Sequence, residues 1–291
     1  MKLVALVAIA AIAAIAAALV AFRDGGSEGE VGAPRAASER TVVWALGDGA
    51  DGSAEGRRLA RYVRERRPAR FIYLGDVYER GTAAALRRNY APLYGALAAR
   101  TDPVIGNHEF KRRSEGYFPY WKDARGLGRE RALRRAYVDD SGWQVLAYSS
   151  ESDPESEAGW VRRQVARHPG TCRLAVAHRG RYTVADAEHG DNRDQAPVWS
   201  ALAGRTAVNL VGHNHLYGRL APIDGVHVLV SGAGGHELRT QGRQRHEVVS
   251  VETGVPTATR LVLRRGALDF SQVDARGRVY DSGTIPCAPA R

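Results

Sequence analysis

Short apolar runs alternate with longer amphipathic stretches along the first third of the chain. The runs Thr41–Leu46, Arg70–Leu74 and Pro103–Ile105 are typical of buried strands. The stretches between them, Ser53–Arg67 and Thr82–Ala99, carry apolar residues at helical spacing. This strand–helix–strand–helix–strand order predicts a parallel sheet that is covered by helices.

The second half of the chain repeats this order and then changes. Further strands are predicted at Trp143–Tyr148, Cys172–Ala177 and Ala207–Val211, with helices near Glu157–Arg167 and Ala196–Ala203. After Leu220, strand-like runs follow one another, at Val226–Val230, Thr259–Leu263 and Phe270–Val273. We expect the strands between Leu220 and Ile285 to be mostly antiparallel and to form a second sheet.

Polar side chains stand directly after the predicted strands. They are carboxylates, an amide and imidazoles: Asp48, Asp76, Asn107, His178, His213 and His215. Because the carboxyl ends of parallel strands meet at one edge of a sheet, function gathers there. All six are metal-ligand types, and two metals about 3.5–4 Å apart are bridged naturally by a carboxylate. The mixed nitrogen and oxygen donors favour Fe, Zn or Mn over Mg or Ca.

The motifs Gly106-Asn107-His108-Glu109 and Gly212-His213-Asn214-His215 resemble the signature of the calcineurin-like metallophosphoesterase superfamily. The resemblance covers Val42 to about Gly235. It implies an α/β fold of four layers, with two stacked mixed β-sheets flanked by helices. It also implies hydrolysis of phosphate esters at a site with two divalent or trivalent metal ions.

The resemblance further implies a role for each residue. Asp48 and His215 would bind the first metal, and Asn107, His178 and His213 the second. Asp76 would bridge the two metals. His108 would contact the substrate and protonate the leaving group, and His189 is a second candidate for substrate binding.

The chain departs from the common pattern at Ala50, in the spacing of Tyr78, and at His178-Arg179-Gly180, where the family often has His-x-Pro. Most of the superfamily has a histidine where this chain has Ala50, and the purple acid phosphatase branch, which also lacks it, uses a tyrosine after the second-motif aspartate. This chain offers Tyr78, two residues after Asp76 instead of the usual three. It is therefore similar to the bacterial secreted members of that branch. Either Tyr78 or solvent completes the shell of the first metal.

The substrate expected from this resemblance is a phosphorylated small molecule or polymer. Hydrolysis of phosphate monoesters, as in acid phosphatases, is the leading hypothesis. A phosphodiesterase or nucleotide hydrolase on the same scaffold is an alternative, and a non-catalytic phosphate- or envelope-binding protein is another.

The N-terminal segment predicts a location outside the cytoplasm. Residues 1–22 contain an apolar run of bilayer length preceded by Lys2, which predicts either a signal peptide or a membrane anchor. Residues 23–40, rich in Gly, Ser, Glu and Ala, predict a flexible linker, and residues 41–291 form the catalytic domain. The protein is then secreted or anchored to the cell membrane.

Charge and cysteine content refine this picture. The net charge is +10, and nearly all of the positive charge is arginine. The run Arg57–Arg67 has helical spacing, so specific nucleic-acid binding is not expected. In an exported protein, Cys172 and Cys287 would form a disulfide, with two free buried thiols as the alternative.

Overall fold

A computed structural model describes residues 40–184, 189–242 and 246–287. The predicted signal peptide or anchor and residues 23–39 of the linker lie outside this range. Arg40, assigned to the linker from the sequence, instead begins the first strand. None of the helices in the described ranges has the length and apolar character needed to cross a bilayer.

The described residues contain thirteen strands. In chain order they are β1 (Arg40–Leu46), β2 (Arg70–Tyr73), β3 (Thr101–Pro103), β4 (Arg135–Val138), β5 (Gln144–Ala147), β6 (Arg173–Ala177), β7 (Val208–Val211), β8 (Tyr217–Leu220), β9 (His227–Ser231), β10 (Val248–Glu252), β11 (Thr257–Arg264), β12 (Ala267–Asp274) and β13 (Val279–Pro286).

The α-helices lie mostly between the strands of the first two thirds of the chain. They are α1 (Ala54–Glu65), α2 (Ala83–Ala85), α3 (Ala91–Tyr94), α4 (Asn107–Phe110), α5 (Tyr117–Arg125), α6 (Arg129–Leu133), α7 (Pro154–Arg167) and α8 (Ala196–Leu202). Turns of 3₁₀ helix occupy Gly95–Arg100 and Arg193–Gln195, and a π turn occupies Leu86–Tyr90.

Two mixed sheets are formed, as expected, but their membership differs from the prediction. The first has the order β13-β12-β11-β1-β2-β3 and the second β10-β8-β9-β7-β6-β5-β4. The prediction that the strands after Leu220 form a sheet of their own is therefore wrong. β11 pairs with β1 along almost the whole of that strand and extends the first sheet, whereas β9 pairs in parallel with β7 in the second.

Alternation along the central strands divides the core into layers. In β1, Val43 and Ala45 pack between the two sheets, while Trp44 and Leu46 face the layer that contains α1 and α5. On the far side of the second sheet, Leu146 packs in a cluster that includes residues of α7 and α8. Successive strand residues point to opposite faces, so a strand buried on both faces requires a layer on each side. The four-layer α/β architecture is confirmed.

Two predicted elements are placed differently in the structure. The predicted helix Thr82–Ala99 begins at its Thr82 cap but widens into the π turn and ends as 3₁₀ helix. Pro92 follows the π turn, and proline removes a helical hydrogen bond and clashes with the carbonyl four residues earlier. The third strand ends at Pro103 instead of beginning there, at the edge of its sheet, where a missing amide is tolerated.

The two cysteines form the predicted disulfide, with 5.8 Å between their Cα atoms. Cys172 immediately precedes β6 in the second sheet, and Cys287 immediately follows β13 in the first. The bond therefore links the two sheets at the end opposite His178, which follows β6.

Candidate metal centre

The strand-end residues meet at one edge of the two sheets. Parallel pairing aligns Leu46 of β1 with Tyr73 of β2, and Ala177 of β6 with Val211 of β7, so the loops that follow these strands lie together. The structure brings together all nine residues that the sequence singled out for the site. They are Asp48, Asp76, Tyr78, Asn107, His108, His178, His189, His213 and His215.

The first half of the site is built around the hydroxyl of Tyr78. This oxygen lies 2.7 Å from Nε2 of His215 and 3.0 Å from Oδ1 of Asp48. Burial, together with the charges of Asp48 and Asp76, raises the pKa of the Tyr78 hydroxyl well above its ordinary value. Loss of its proton therefore requires a positive charge in the site.

The second half of the site is built around His178. Its Nε2 lies 3.0 Å from Oδ1 of Asn107 and 3.2 Å from Oδ2 of Asp76, and its ring centroid is 5.0 Å from that of His213. Burial alone would lower the pKa of His178, but the charge of Asp76 and the bond to it raise the pKa to about 10. Without a metal, a proton thus occupies the position on Nε2 that a metal would take.

Asp76 lies between the two halves. Its Oδ2 is 3.2 Å from His178 Nε2 and 3.5 Å from the Tyr78 hydroxyl. Burial alone would raise the pKa of Asp76, but the charge of His178 holds it well below the ordinary value. Asp76 therefore stays ionised, as a bridging carboxylate must.

Two of the candidate histidines have rings that are held in place by backbone carbonyl oxygens. His178 Nδ1 lies 2.7 Å from the carbonyl oxygen of Leu74, and His215 Nδ1 lies 3.2 Å from that of Glu237. Such bonds orient the ring and direct the Nε2 lone pair into the site. Burial lowers the pKa of His215 to about 4 and that of His213 much further, so both rings are neutral, the form that binds metals.

These donors fit the metals that the resemblance implies. One donor atom each from Asp76, His178 and His213 lie within 4.8 Å of one another. His213 Nδ1 is buried and has no hydrogen-bond partner within the described ranges. A buried polar atom without a partner, in a cluster of ligand-type side chains, fits the role of a metal ligand.

The backbone around the site is strained. Residues Asp48, Asp76, His213 and His215 all have positive φ values, between 50° and 71°. Left-handed conformations of residues other than glycine cost of order 1–3 kcal/mol each and concentrate at functional sites. The loops keep these side chains directed into the site despite the cost of the left-handed backbone conformation.

Glu109 holds two of these loops together, a role that the sequence did not indicate. It is buried, and its carboxylate accepts hydrogen bonds from the backbone amides of Asp76, Val77 and Gly106. Burial and the neighbouring Asp76 raise the pKa of Glu109 to about 8. Gly106 must be glycine, because a Cβ atom there would lie 2.1 Å from Oδ1 of Asp76.

The two candidate substrate residues lie on different sides of the site. His108 is partly exposed; its Nδ1 bonds to the carbonyl oxygen of Glu79, and its Nε2 is 3.8 Å from Asp76. The ring centroid of His189 is 4.6 Å from that of His213. His189 also lines a polar cavity of about 130 Å³ together with Arg179.

Two further residues, His236 and Asp51, lie in the site although the sequence did not predict them there. His236 stacks on the ring of Tyr78, with 3.5 Å between centroids and 19° between planes. Its Nδ1 lies 3.2 Å from Oδ2 of Asp51. Ala50, the position at which the superfamily pattern has a histidine, is buried beside Val77 and brings no ligand.

Comparison with known proteins shows what the fold is. No protein-family profile and no curated protein matches the sequence. Among solved structures, the chain is similar to GAP50, described as the anchor in the inner membrane complex of Plasmodium, with a TM-score of 0.70 and 12% identity over 87% of this chain and 91% of that one. It is also similar to a dimetal phosphatase from Danio rerio, with a TM-score of 0.56 and 13% identity over 85% of this chain and 99% of that one. For PhoD the TM-score is 0.58 and the identity 11%, over 87% of this chain and 74% of that one. At such identities the likeness is one of fold, and the fold of this chain is that of the metallophosphoesterases, as its motifs implied.

Proposed function

We propose that this chain hydrolyses phosphate monoesters at a centre that holds two metal ions. The observation that carries the proposal is the position of Asp76, whose carboxylate contacts His178 on one side and Tyr78 on the other. Two sets of ligand-type side chains therefore share one ionised carboxylate. The similarity in fold to a dimetal phosphatase supports the same function.

Each set of side chains would hold one metal. Asp48, Tyr78 and His215 would hold the first, Asn107, His178 and His213 the second, and Asp76 both. The nitrogen and oxygen donors favour Fe, Zn or Mn. Such metals, when bound, would supply the Lewis acidity that activates water and neutralises phosphoryl oxygens.

The protein's own groups would handle the rest of the substrate. His108 is exposed enough to meet a leaving group, and its Nδ1 bond to the Glu79 carbonyl turns Nε2 toward the site. Because Nδ1 donates its hydrogen to that carbonyl oxygen, Nε2 carries a proton only in the imidazolium form, and this form would give the proton to the departing alcohol oxygen and return to neutral imidazole. His189 and Arg179, which line the polar cavity beside His213, would contact the substrate on the other side.

The replacement Asp76→Ala tests the two-metal centre. It removes the shared carboxylate and leaves two cations to repel each other, so metal content and turnover of p-nitrophenyl phosphate should both be lost. Asp269→Ala is the matched control, because Asp269 pairs with Arg264 on the exposed end of β12. Full metal content with normal turnover in Asp76→Ala would contradict the proposal.

A substrate pair tests the ester class. Hydrolysis of p-nitrophenyl phosphate should exceed that of bis-p-nitrophenyl phosphate. The reverse order would make the chain a phosphodiesterase on the same scaffold.

Tyr78 has its own test. A phenolate bound to ferric iron absorbs visible light, so the iron-loaded, oxidised protein should show a charge-transfer band that Tyr78→Phe removes. The position of its hydroxyl between Asp48 and His215 supports this ligation. An active, iron-loaded protein without such a band would remove Tyr78 from the ligand set.

A non-catalytic role is the second candidate function. The likeness to GAP50, described as an anchor, favours it. On this alternative the protein binds metal or phosphate, but it hydrolyses neither p-nitrophenyl phosphate nor bis-p-nitrophenyl phosphate, whether it is loaded with Fe, Zn or Mn.

We further propose that the domain works outside the cytoplasm, either secreted or attached to the membrane by residues 1–22. The disulfide between Cys172 and Cys287 supports this location, because disulfides persist in oxidising compartments. Externally added protease should degrade the protein on intact cells, or the protein should be found in the medium. Retention with reduced thiols inside the cell would contradict this location.

A further inference from the structure

The ring of Tyr78 is confined by two histidines. His236 covers one face of the ring at 3.5 Å, and His108 meets it edge-on with 4.8 Å between centroids. A tyrosine side chain otherwise rotates about two bonds. With the stack in place, the hydroxyl is held at bonding distance from His215 and Asp48.

His236 is itself fixed at both its side chain and its main chain. Its Nδ1 lies 3.2 Å from Oδ2 of Asp51, and its backbone amide donates to the carbonyl oxygen of Asp48 at 2.9 Å. Asp51 is anchored in turn, because its Oδ1 accepts a hydrogen bond from the amide of Ser53, the cap of helix α1. The imidazole of His236 is therefore oriented by the loop that carries Asp48.

Glycines bring the segment of His236 against that loop. The amide of Gly234 donates to the carbonyl oxygen of Gly47 at 3.0 Å. A Cβ atom on Gly234 would lie 2.2 Å from this same oxygen, and one on Gly49 would lie 2.6 Å from the carbonyl oxygen of Gly234. The two segments can pack this closely only without side chains.

We propose that Asp51 and His236 are a positioning pair that orients Tyr78 toward the first half of the metal centre. His236 supplies the face on which the phenol ring rests, and Asp51 fixes the plane and the tautomer of His236. Neither residue is a metal ligand in this arrangement. The effect on metal affinity rests on the proposed function, whereas the placement of Tyr78 does not.

The test uses the full chain with His236→Ala, His236→Phe and the control His227→Ala. His227 begins β9, at the end of that strand opposite Ser231. Crystal structures of the metal-free variants give the distance from the Tyr78 hydroxyl to His215 Nε2. Competition with a chelator gives the affinity for each of two metals.

His236→Ala should displace the Tyr78 hydroxyl. It should also lower the affinity for one of the two metals by about 10–100-fold, the usual effect of losing a group that orients a ligand. The second metal should keep its affinity. His236→Phe keeps an aromatic face and should restore most of both properties. His227→Ala should change neither, which separates positioning from a general loss of stability.

Two results would overturn the proposal. The first is an unmoved Tyr78 hydroxyl in His236→Ala, and the second is a displaced hydroxyl with both metal affinities unchanged. If the unaltered protein binds no metal, the proposed function fails, while the crystal structures still decide the placement of Tyr78. If His236→Ala does not fold, Asp51→Asn serves instead: it keeps an oxygen for Ser53, presents an amide to His236, and should shift both aromatic rings.

Discussion

The carboxylate of Glu109 should be one of the largest single contributions to the stability of the site. It accepts hydrogen bonds from three buried backbone amides, those of Asp76, Val77 and Gly106. Glu109→Ala leaves all three without an acceptor. A buried donor without a partner costs about 1–3 kcal/mol, so the loss should be about 3–9 kcal/mol. That is a large part of the 5–15 kcal/mol that is typical of a whole domain (about 0.1 kcal/mol per residue).

Glu109→Gln should remove only part of this stability, because it can keep some of the three hydrogen bonds. Oε2 accepts from both Asp76 and Gly106, whereas Oε1 accepts from Val77 alone. A glutamine with its carbonyl oxygen at the Oε2 position keeps two of the three bonds. It should therefore lose only about 1–3 kcal/mol.

The assay is urea unfolding of the metal-free protein with its disulfide intact, followed by tryptophan fluorescence at pH 6, below the pKa of about 8 of Glu109, so that the glutamate and glutamine side chains are compared in their neutral forms. The matched control is Glu115→Ala, an exposed glutamate that faces Arg112 at 3.8 Å and should change stability by less than about 0.5 kcal/mol. A loss below about 1 kcal/mol in Glu109→Ala would refute the reasoning, since even one orphaned amide costs that much. Equal losses in the alanine and glutamine variants would also refute it.

Three more predictions concern the leaving group, pH and the disulfide. His108→Ala should slow hydrolysis of an alkyl phosphate by about 10²-fold or more and that of p-nitrophenyl phosphate much less, because only the alkoxide needs a proton donor. Burial raises the pKa of Glu157 from 4.5 to about 7, so the stability linked to its proton is full below pH 4.5 and lost as pH rises through 7. Glu157→Gln should remove that loss and stabilise the protein at pH 8, but not at pH 4, by up to about 3 kcal/mol in thermal or urea unfolding. Reducing the bond between Cys172 and Cys287 should lower stability by about 2–5 kcal/mol while metal content is retained.

Each of these has a result that would count against it. Equal slowing of both substrates would exclude His108 as the proton donor. Glu155→Gln, which changes an exposed residue on the same helix, is the control for Glu157→Gln. The same pH dependence of stability in both variants would contradict an origin in the burial of Glu157. Metal loss on reduction would show that the disulfide shapes the site and does not merely brace the sheets.

The cluster of candidate metal ligands could be predicted from the sequence because one general rule covers it. Asp48, Asp76 and His178 each come after a short apolar run, and parallel strands place their C-terminal loops at one edge of a sheet. The register confirms this, since Leu46 and Tyr73 are paired neighbours. No knowledge of side-chain packing was needed for that step.

Sheet membership could not be predicted in the same way. In β11, six of eight residues are buried, and the strand pairs with both β1 and β12. An apolar run of this kind shows that a strand is covered on both faces, but it does not identify its neighbours. The choice between extending the first sheet and founding another depends on packing between distant segments.

The sequence analysis did not place His236 in the site, and this omission follows from the error about the sheets. His236 comes five residues after Ser231, the last residue of β9, in a run of glycines. The strand itself is close to the prediction, but an antiparallel strand would end at either edge of its sheet. Because β9 pairs in parallel with β7, its carboxyl end lies at the same edge as His213. The rule that placed the candidate metal ligands together therefore applies to His236 as well, and the sequence alone did not show the direction of this one strand.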